Sequence, residues 1–547
     1  MIHKIFFPAF IVLLSISCNK KSSSDENINT DNVQDVWVST QHNNNTRSGY
    51  NNLETILTTS NVNSRQFGKL FSMDVDDQVY AQPLIAGGIT ISNGRHNVAY
   101  IATVNNTVYA YDADNGQLYW QKNFTAPGMR PPKNTDMTGA CGGNYNDFSG
   151  NIGIVGTPVI DSVTQTIYFV ARSTDGTNYV QYLHAVNVLT GNEMPGSPVK
   201  ITATYNGNGS GSINNIITFN PQKQNQRQAL TLLNGIVYVT FSSHCDWGPY
   251  HGWILGYNAS TLLQQIVYND TPNGYAGGIW ESGSGLATDN NGNLYCVVGN
   301  GSVGYNNDPS SLINRGESAL KLTPTSTSLK VDSYFTPSNY QILENGDLDY
   351  GSMGAFLIPN SNYYFTGAKD GTIYLLNKDN MGGFSTSTNN VQQSIMLDKL
   401  PALHCQPSYY KGLSGEFVFL WSENNQLRAF PFIRNTNLLD ASHVITSSVS
   451  GPSGRSGAML SVSSNGTKDS TGILWASYAS SGDANQGVKP GILRAFDANN
   501  ITKELWNNTQ NASDNSGNYA KFSPPTVANG HVYLATFSNK VVVYGLK

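Results

Sequence analysis

The same short segment recurs eight times along this chain. Each copy opens with a β-prone stretch, often after a proline, and continues through a turn into a strand of alternating small and aromatic residues. The eight openings are PLIAGG at Pro83, GTPVID around Pro158, ALTLLNG at Ala229, SGLATDNNG at Ser284, MGAFLIPN at Met353, QPSYYKG at Gln406, GAMLSVSSNG at Gly457 and SPPTVANG at Ser523. A self-similar unit of this size predicts an array of packed repeats.

The array predicts an all-β fold, namely an eight-bladed β-propeller. Units of three or four strands follow one another with no amphipathic helix and no linker between them, and propeller blades keep their sheet edges short and covered. The last unit holds only three strands before Lys547. The spare segment KLFSMDVDD, residues 69–77, precedes the first unit, and we expect this N-terminal strand to complete the last blade and close the ring.

Composition argues against several classes of protein. The 547 residues include 31 Lys and Arg against 36 Asp and Glu, a net charge of −5, so the chain lacks the basic surface of a nucleic-acid-binding protein. A hydrophobic content of 39% and an aromatic content of 11% supply a core and argue against disorder. No G-x-S-x-G, Walker A, H-E-x-x-H or C-x-x-C-H motif occurs in the sequence.

The first residues are interpreted as a targeting segment, with an ordinary cleaved signal or a short anchor as alternatives to a lipoprotein signal. A short basic start is followed by the apolar run of residues 5–16, then Ser17 and Cys18, and this order resembles a bacterial lipoprotein signal. The interpretation divides the chain into a signal peptide (1–17), a lipidated flexible tether (18–36) and one propeller domain (37–547). It predicts a lipid on Cys18 that anchors the protein in the cell envelope, with the outer membrane as the expected site, facing either the periplasm or the surface.

Four cysteines remain if Cys18 carries lipid, and four cysteines allow three complete pairings. Cys296 lies in the apolar run LYCVVG and is interpreted as a core thiol. Cys141 and Cys245 both lie in glycine-rich loops and are the favoured disulfide pair.

The stretch AYDADNGQLYW, Ala110–Trp120, resembles the repeat of propellers of the pyrroloquinoline-quinone (PQQ) type. Its Asp, Asn and Gly suit a tight turn, and its tryptophan gives the outer strand a flat surface that docks on the next blade. HAVNVLTGNE, residues 184–193, keeps the turn without the tryptophan, and RAFDANNITKELW, residues 494–506, keeps the tryptophan. The chain is therefore identified as a member of the PQQ-like propeller superfamily.

Residues 141 to about 371 are similar to the quinoprotein alcohol dehydrogenases, in which a Ca²⁺ is held by a carboxylate, an Asn and the quinone. The resemblance implies the following positions: Asp246 and Asn300 as cation ligands, Asp349 or Asp347 as the base, Trp280 as the floor under the quinone, Lys369 at its carbonyls and Cys141 at the disulfide loop. Carboxylate and amide oxygens suit a hard cation such as Ca²⁺. PQQ and Ca²⁺ are the implied cofactors.

The sequence also departs from that family. Gly142 follows Cys141, so no disulfide between adjacent cysteines can form, and Lys369 cannot make the two-pronged contact of an arginine. Structural roles stay open for every position: Asn300 as a turn residue, Asp246 as a loop cap, Asp347 and Asp349 as solvated loop residues, and Trp280 as a packing residue. The His-Cys pairs at 244–245 and 404–405 match no standard zinc spacing.

Two functions follow. The first is a quinone- and Ca²⁺-dependent dehydrogenase of small alcohols or sugars, or a degenerate descendant of one. The second is a non-catalytic scaffold or ligand-binding lipoprotein that grips a protein partner of the envelope.

Overall fold

Each of the eight repeated units folds into its own β-sheet, and the sheets are arranged as a propeller, which confirms the predicted fold class. A computed structural model of the chain describes residues 35–397 and 402–547. Cys18, the predicted signal peptide and the predicted tether up to residue 34 lie outside the described residues. Asp35 and Val36 belong to the propeller, since Val36 is buried in a hydrophobic cluster and its backbone N–H donates to Asn529 Oδ1 at 3.0 Å.

The main strands of each blade pair antiparallel in chain order, and the short strands Gly383–Phe384 and Tyr50–Asn51 add to blades 4 and 7 in parallel. Blade 1 contains Leu84–Ile91, Gly94–Ala102, Thr107–Asp112 and Leu118–Asn123, and blade 2 contains Val159–Asp161, Thr166–Thr174, Tyr179–Asn187 and Val199–Lys200. Blade 3 contains Thr231–Leu233 with Gln224–Asn225, Ile236–Ser243, Trp253–Asn258 and Gln264–Asn269. Blade 4 contains Ala287–Thr288, Leu294–Val298, Ser318–Pro324, Leu329–Thr336 and Gly383–Phe384. Blade 5 contains Phe356–Leu357, Tyr363–Gly367, Thr372–Asn377 and Gln393–Met396, and blade 6 contains Ser408–Gly412, Gly415–Leu420, Gln426–Ile433, Leu438–Leu439 and Ile445–Ser450. Blade 7 contains Met459–Ser463, Ile473–Ala479, Gly491–Asp497 and Asn500–Asn507, and Tyr50–Asn51 pairs with its strand Met459–Ser463. Blade 8 contains Thr526–Ala528, His531–Ala535, Lys540–Leu546 and Phe67–Asp74.

Few described residues lie in other regular structure. The hairpin Thr204–Asn206 and Ile216–Thr218 stands outside the blades, and Tyr340–Gly346 is the α-helix of the described ranges. Short 3₁₀ turns cover Asn134–Asp136, Ala140–Gly143, Glu281–Gly283 and Ala512–Asp514. None of the helices in the described part of the chain has the length and apolar character needed to cross a membrane.

The first strand of each blade lies innermost. First strands of neighbouring blades contact one another, for example Ser408–Gly412 and Met459–Ser463. Outer strands are the more exposed ones, as in Leu118–Asn123, in which no residue is fully buried. Trp120 of that outer strand donates from Nε1 to the Val188 carbonyl of blade 2 at 2.9 Å, which confirms the predicted docking role of this tryptophan.

The outermost strand of blade 8 comes from the other end of the folded chain. Phe67–Asp74 pairs antiparallel with Lys540–Leu546, from Phe67 opposite Leu546 to Asp74 opposite Lys540. This ladder joins the first blade-forming strand to the last and covers an edge that would otherwise expose unpaired backbone groups.

Residues 38–54, which we call the axial segment, pass the innermost strand of each blade once, one blade after another. The segment bonds to the innermost strand of every blade in blade order. The contacts are Val38 with Ile85, Ser39 with Ile160, Asn45 with both Leu232 and Thr288, Thr46 with Leu357, Ser48 with Tyr409, Gly49 with Val462 and Asn51 with Val527. No sequence pattern predicted this segment, because it is polar and follows no β or helical period.

Arg47 is the centre of the axial segment and is fully buried. Its five N–H donors meet five acceptors at 2.6–3.2 Å, a complete set for a guanidinium. The acceptors are the carbonyls of Gln41, Leu230 and Leu286 and the hydroxyls of Thr40 and Thr231. Burial lowers the pKa of Arg47 to about 9, an effect opposed by the nearby Glu281. The side chain therefore clips the axial segment to blades 3 and 4 in its charged form.

Deletion of the outer strand Phe67–Asp74 should destabilise the whole propeller, because it exposes the ladder edge of Lys540–Leu546. We expect a single thermal transition shifted to lower temperature, measured by circular dichroism on the otherwise full-length protein. An unchanged transition would contradict the role of this strand.

Replacing Arg47 by Met keeps the length and volume of the side chain but leaves buried acceptors without a partner. We expect a loss of at least about 3 kcal/mol in the free energy of unfolding, measured by denaturant titration. Arg65→Met, at an exposed position, is the matched control and should be neutral. Equal stability of the two variants would show that the clip is dispensable.

Candidate functional site

One position in every blade faces the axis. The inner strands all begin at the same end of the propeller, and the residue four positions before the start of each strand lines a cavity there. These residues are Tyr80, Val155, Arg227, Gly283, Ser352, His404, Arg455 and Phe522. The repeat thus builds a site from eight loops that are far apart in the sequence.

One of these spaces, the main cavity, has a volume of about 860 Å³ including its open mouth. A second opening, the side cavity of about 980 Å³, adjoins it and shares Asp246 and Asp347 with it.

All seven residues assigned to the site from the sequence lie around these two cavities. The main cavity is lined by Cys141, Asp246, Trp280, Asp347, Asp349 and Lys369, and the side cavity by Asn300 together with Asp246 and Asp347. The structure therefore brings together residues that span more than two hundred positions. The predicted lipidation residue, Cys18, lies outside the described residues.

Lys369 joins the two candidate bases. Its ammonium pairs with the carboxylates of Asp349 and Asp347, the latter at 2.7 Å. The side chains of Lys369 and Asp349 are 11% and 7% exposed, whereas that of Asp347 is 63% exposed. Burial opposes the charge of Lys369, but the carboxylates of Asp349 and Asp347 hold its pKa above the ordinary value. Asp349, the buried candidate base, is thus held in place, and Asp347, the exposed one, faces the opening of the cavity.

Asn300 is held in the same network. Its backbone N–H donates to Asp349 Oδ1 at 3.1 Å, and its side-chain Nδ2 donates to Asp347 Oδ1 at 3.2 Å. Its Oδ1 is buried and has no hydrogen-bond partner among the described residues. A purely structural role in a turn does not explain a buried oxygen without a hydrogen-bond partner. We therefore expect a ligand or a cation to bind Asn300 through Oδ1.

Asp246 faces the cavity from the loop that follows the second strand of blade 3. The side chain is solvent-exposed at the mouth, yet the surrounding protein desolvates it and, with the charge of Asp349, raises its pKa to about 6. Tyr250 donates its hydroxyl to Asp246 Oδ1 and opposes this shift. Three aspartates and one lysine leave a charge of −2 at this end of the cavity when all four are ionised.

Trp280 lies between glycines, and its ring lines the main cavity. A Cβ on Gly278 would meet its Nε1 at 2.7 Å, and one on Gly299 would meet Cδ1 at 3.1 Å. The indole therefore packs on bare backbone on one side, which leaves its partly exposed surface to the cavity.

Cys141 and Cys245 form a disulfide that lines the main cavity, which confirms the pairing favoured from the sequence. The bond ties the loop before blade 2 to the loop that carries Asp246. Cys296 and Cys405 are free and buried, and Cys296 is a core thiol as predicted.

Sequence reasoning missed a basic cluster beside the main cavity, of which Arg227 lines that cavity. Arg227 Nη1 and Lys521 Nζ both donate to Asp147, at 3.2 and 2.5 Å. Burial opposes the charge of Asp147, but Lys521 and Arg227 lower its pKa to about 2. Arg227 could have been found from its place four residues before an inner strand.

The donors in the two cavities fit a hard cation only with help from a ligand. No group of three or more His, Cys, Asp or Glu side chains in the described ranges is placed to hold a metal ion by itself. Asp246 and the orphaned amide oxygen of Asn300 offer two oxygens of the six to eight that Ca²⁺ takes, so a bound quinone and water would have to complete the shell.

No family model and no curated protein matches this sequence. Solved structures do match its fold. A quinohemoprotein alcohol dehydrogenase from Pseudomonas putida aligns with a TM-score of 0.55 and 15% identity, over 93% of this chain and 80% of that chain. The quinohemoprotein alcohol dehydrogenase from Comamonas testosteroni aligns with a TM-score of 0.55 and 13% identity, over the same shares. At this identity the likeness shows that the chain has the fold of PQQ-like propellers.

Proposed function

We propose that the main cavity binds a planar quinone of the PQQ class with a Ca²⁺-like cation, and that the protein oxidises a small alcohol or sugar. The observation that carries the proposal is the convergence of the seven candidate residues on two adjoining cavities. When bound, the quinone accepts the two electrons and two protons that an alcohol loses, and the cation polarises its carbonyl.

The chain's own groups divide into holding and proton-transfer roles. Asp246 and Asn300 Oδ1 would hold the cation, and Trp280 would support the ring. Lys369 would present its ammonium to the quinone oxygens while it pairs with the carboxylate of Asp349.

Asp349 is the better-positioned base and Asp347 the more accessible one. The carboxylate of Asp349 is buried and fixed by the Asn300 N–H and Lys369, so it is preorganised to take the hydroxyl proton of a substrate. Asp347 has its Oδ1 in the same network but is largely exposed to solvent. The two roles are separable by substitution of one aspartate at a time.

Purified protein should bind PQQ at micromolar concentration or below when Ca²⁺ is present, measured by titration calorimetry and by the spectrum of the bound quinone. Asp246→Asn should require at least tenfold more Ca²⁺, because it removes a charged ligand. Asp175→Asn, at an exposed loop position, is the matched control.

With PQQ and Ca²⁺ bound, Asp349→Asn should abolish dye reduction by alcohols or sugars while leaving quinone binding intact. Absence of quinone binding by the wild-type protein would overturn the proposal and leave the scaffold interpretation.

Ca²⁺ binding should depend on pH through Asp246. Because the pKa of Asp246 is about 6, the carboxylate gains its charge as pH rises through that value, and affinity for the cation rises with it. At about pH 5 the affinity should be roughly tenfold below its plateau above about pH 7. Asp246→Asn should flatten this profile, and calorimetry in two buffers should detect proton release with the wild type alone. A flat wild-type profile would show that Asp246 is no ligand.

A further inference from the structure

Beneath the main cavity lies a smaller one, which we call the axial cavity. It has a volume of about 220 Å³ and is lined by Tyr80, Val155, Thr157, Arg227, Gly283, Lys521 and Phe522. It shares Arg227 and Phe522 with the main cavity. The space is narrow and holds at most one small species.

Two donors in the axial cavity have no acceptor. The hydroxyl of Tyr80 and the Nη2 of Arg227 are buried and make no hydrogen bond within the described part of the chain. Tyr80 is 4% exposed, and the side chain of Arg227 is 10% exposed. A buried donor without a partner costs about 1–3 kcal/mol, more for a charged group, so a pair of them facing one cavity points to an occupant.

Both donors are fixed in place by packing. The ring of Tyr80 lies against Phe148 and Phe537, with centroids 4.8 and 4.2 Å away, and the guanidinium of Arg227 lies over Phe522 at 4.1 Å. Thr157 Oγ1 accepts from the Gln82 backbone at 2.9 Å, so its own proton is available as a third donor.

The charge at the axial cavity is positive. Arg227 and Lys521 carry two positive charges, and Asp147, which pairs with both, returns one negative charge. Asp147 lines the main cavity and is not among the residues around the axial cavity. The Arg227–Lys521–Asp147 cluster thus keeps one positive charge next to this space, and a water molecule would satisfy the free donors without balancing that charge.

We propose that the axial cavity is a binding site for one small monovalent anion of the chloride class, held by Tyr80, Arg227, Lys521 and Thr157. The anion balances the charge of the Arg227–Lys521–Asp147 cluster and stabilises the loops that lead into blades 1, 2, 3 and 8. This site is independent of the quinone, because its donors belong to the apoprotein.

Bromide is the probe for this site. A crystal of the full chain grown in sodium bromide should show an anomalous peak in the axial cavity, between Tyr80 and Arg227. In solution, the melting temperature should be higher in sodium chloride than in sodium gluconate of equal ionic strength, because gluconate is too large to enter.

Tyr80→Phe keeps the ring packing and removes one donor, so it should weaken the chloride dependence several-fold. Tyr100→Phe is the matched control, since Tyr100 is buried and its hydroxyl donates to the Val188 carbonyl far from the axis. It should keep the full chloride dependence. Equal melting temperatures in the two salts, with bromide peaks only on the outer surface, would overturn the proposal.

Discussion

The hydrogen bonds between the axial segment and the eight inner strands are the constraint on which the rest of the structure depends. A propeller ring of separate sheets has no covalent reason to keep its blades in register, and one winding segment, clipped by Arg47, contacts each blade. Because Arg47 is buried with all its donors satisfied, displacement of blade 3 or 4 leaves a charged group unsolvated. The inner strands are thereby held in place around the axis, and so are the loops that lead into them.

The fixed positions of these loops determine which side chains line the cavities. The positions four residues before the inner strands share one place in the repeat but hold different side chains, from Gly283 to Arg455. Of these positions, Arg227 and Arg455 bring positive charge to the main cavity, whereas Asp246, Asp347 and Asp349 reach it from other loop positions.

Sequence reasoning succeeded where local chemistry decides structure and failed where distant residues meet. The strand openings, the role of Trp120 and the Cys141–Cys245 pair followed from turn residues, alternation and loop composition. The seven site residues followed from a family resemblance, and the structure gathers them although their roles remain predictions. Lys521 carried no signal, because an isolated lysine before a strand has an ordinary solvated role until its neighbours are known. The place of Tyr80 and Arg227 four residues before an inner strand could show that they face the axis, but not that their donors lack acceptors.

The sequence by itself determined the number of blades. Each repeat carries its own turns and its own apolar face, and that face can be buried only against a neighbouring repeat. Only the tertiary structure decided which polar groups lose water together. Desolvation by the surrounding protein and the charge of Asp349 raise the pKa of Asp246, and enclosure at the axis leaves the donors of Tyr80 and Arg227 without acceptors. Desolvation depends on every atom packed around a group, and those atoms come from blades hundreds of residues apart, so no local pattern records it.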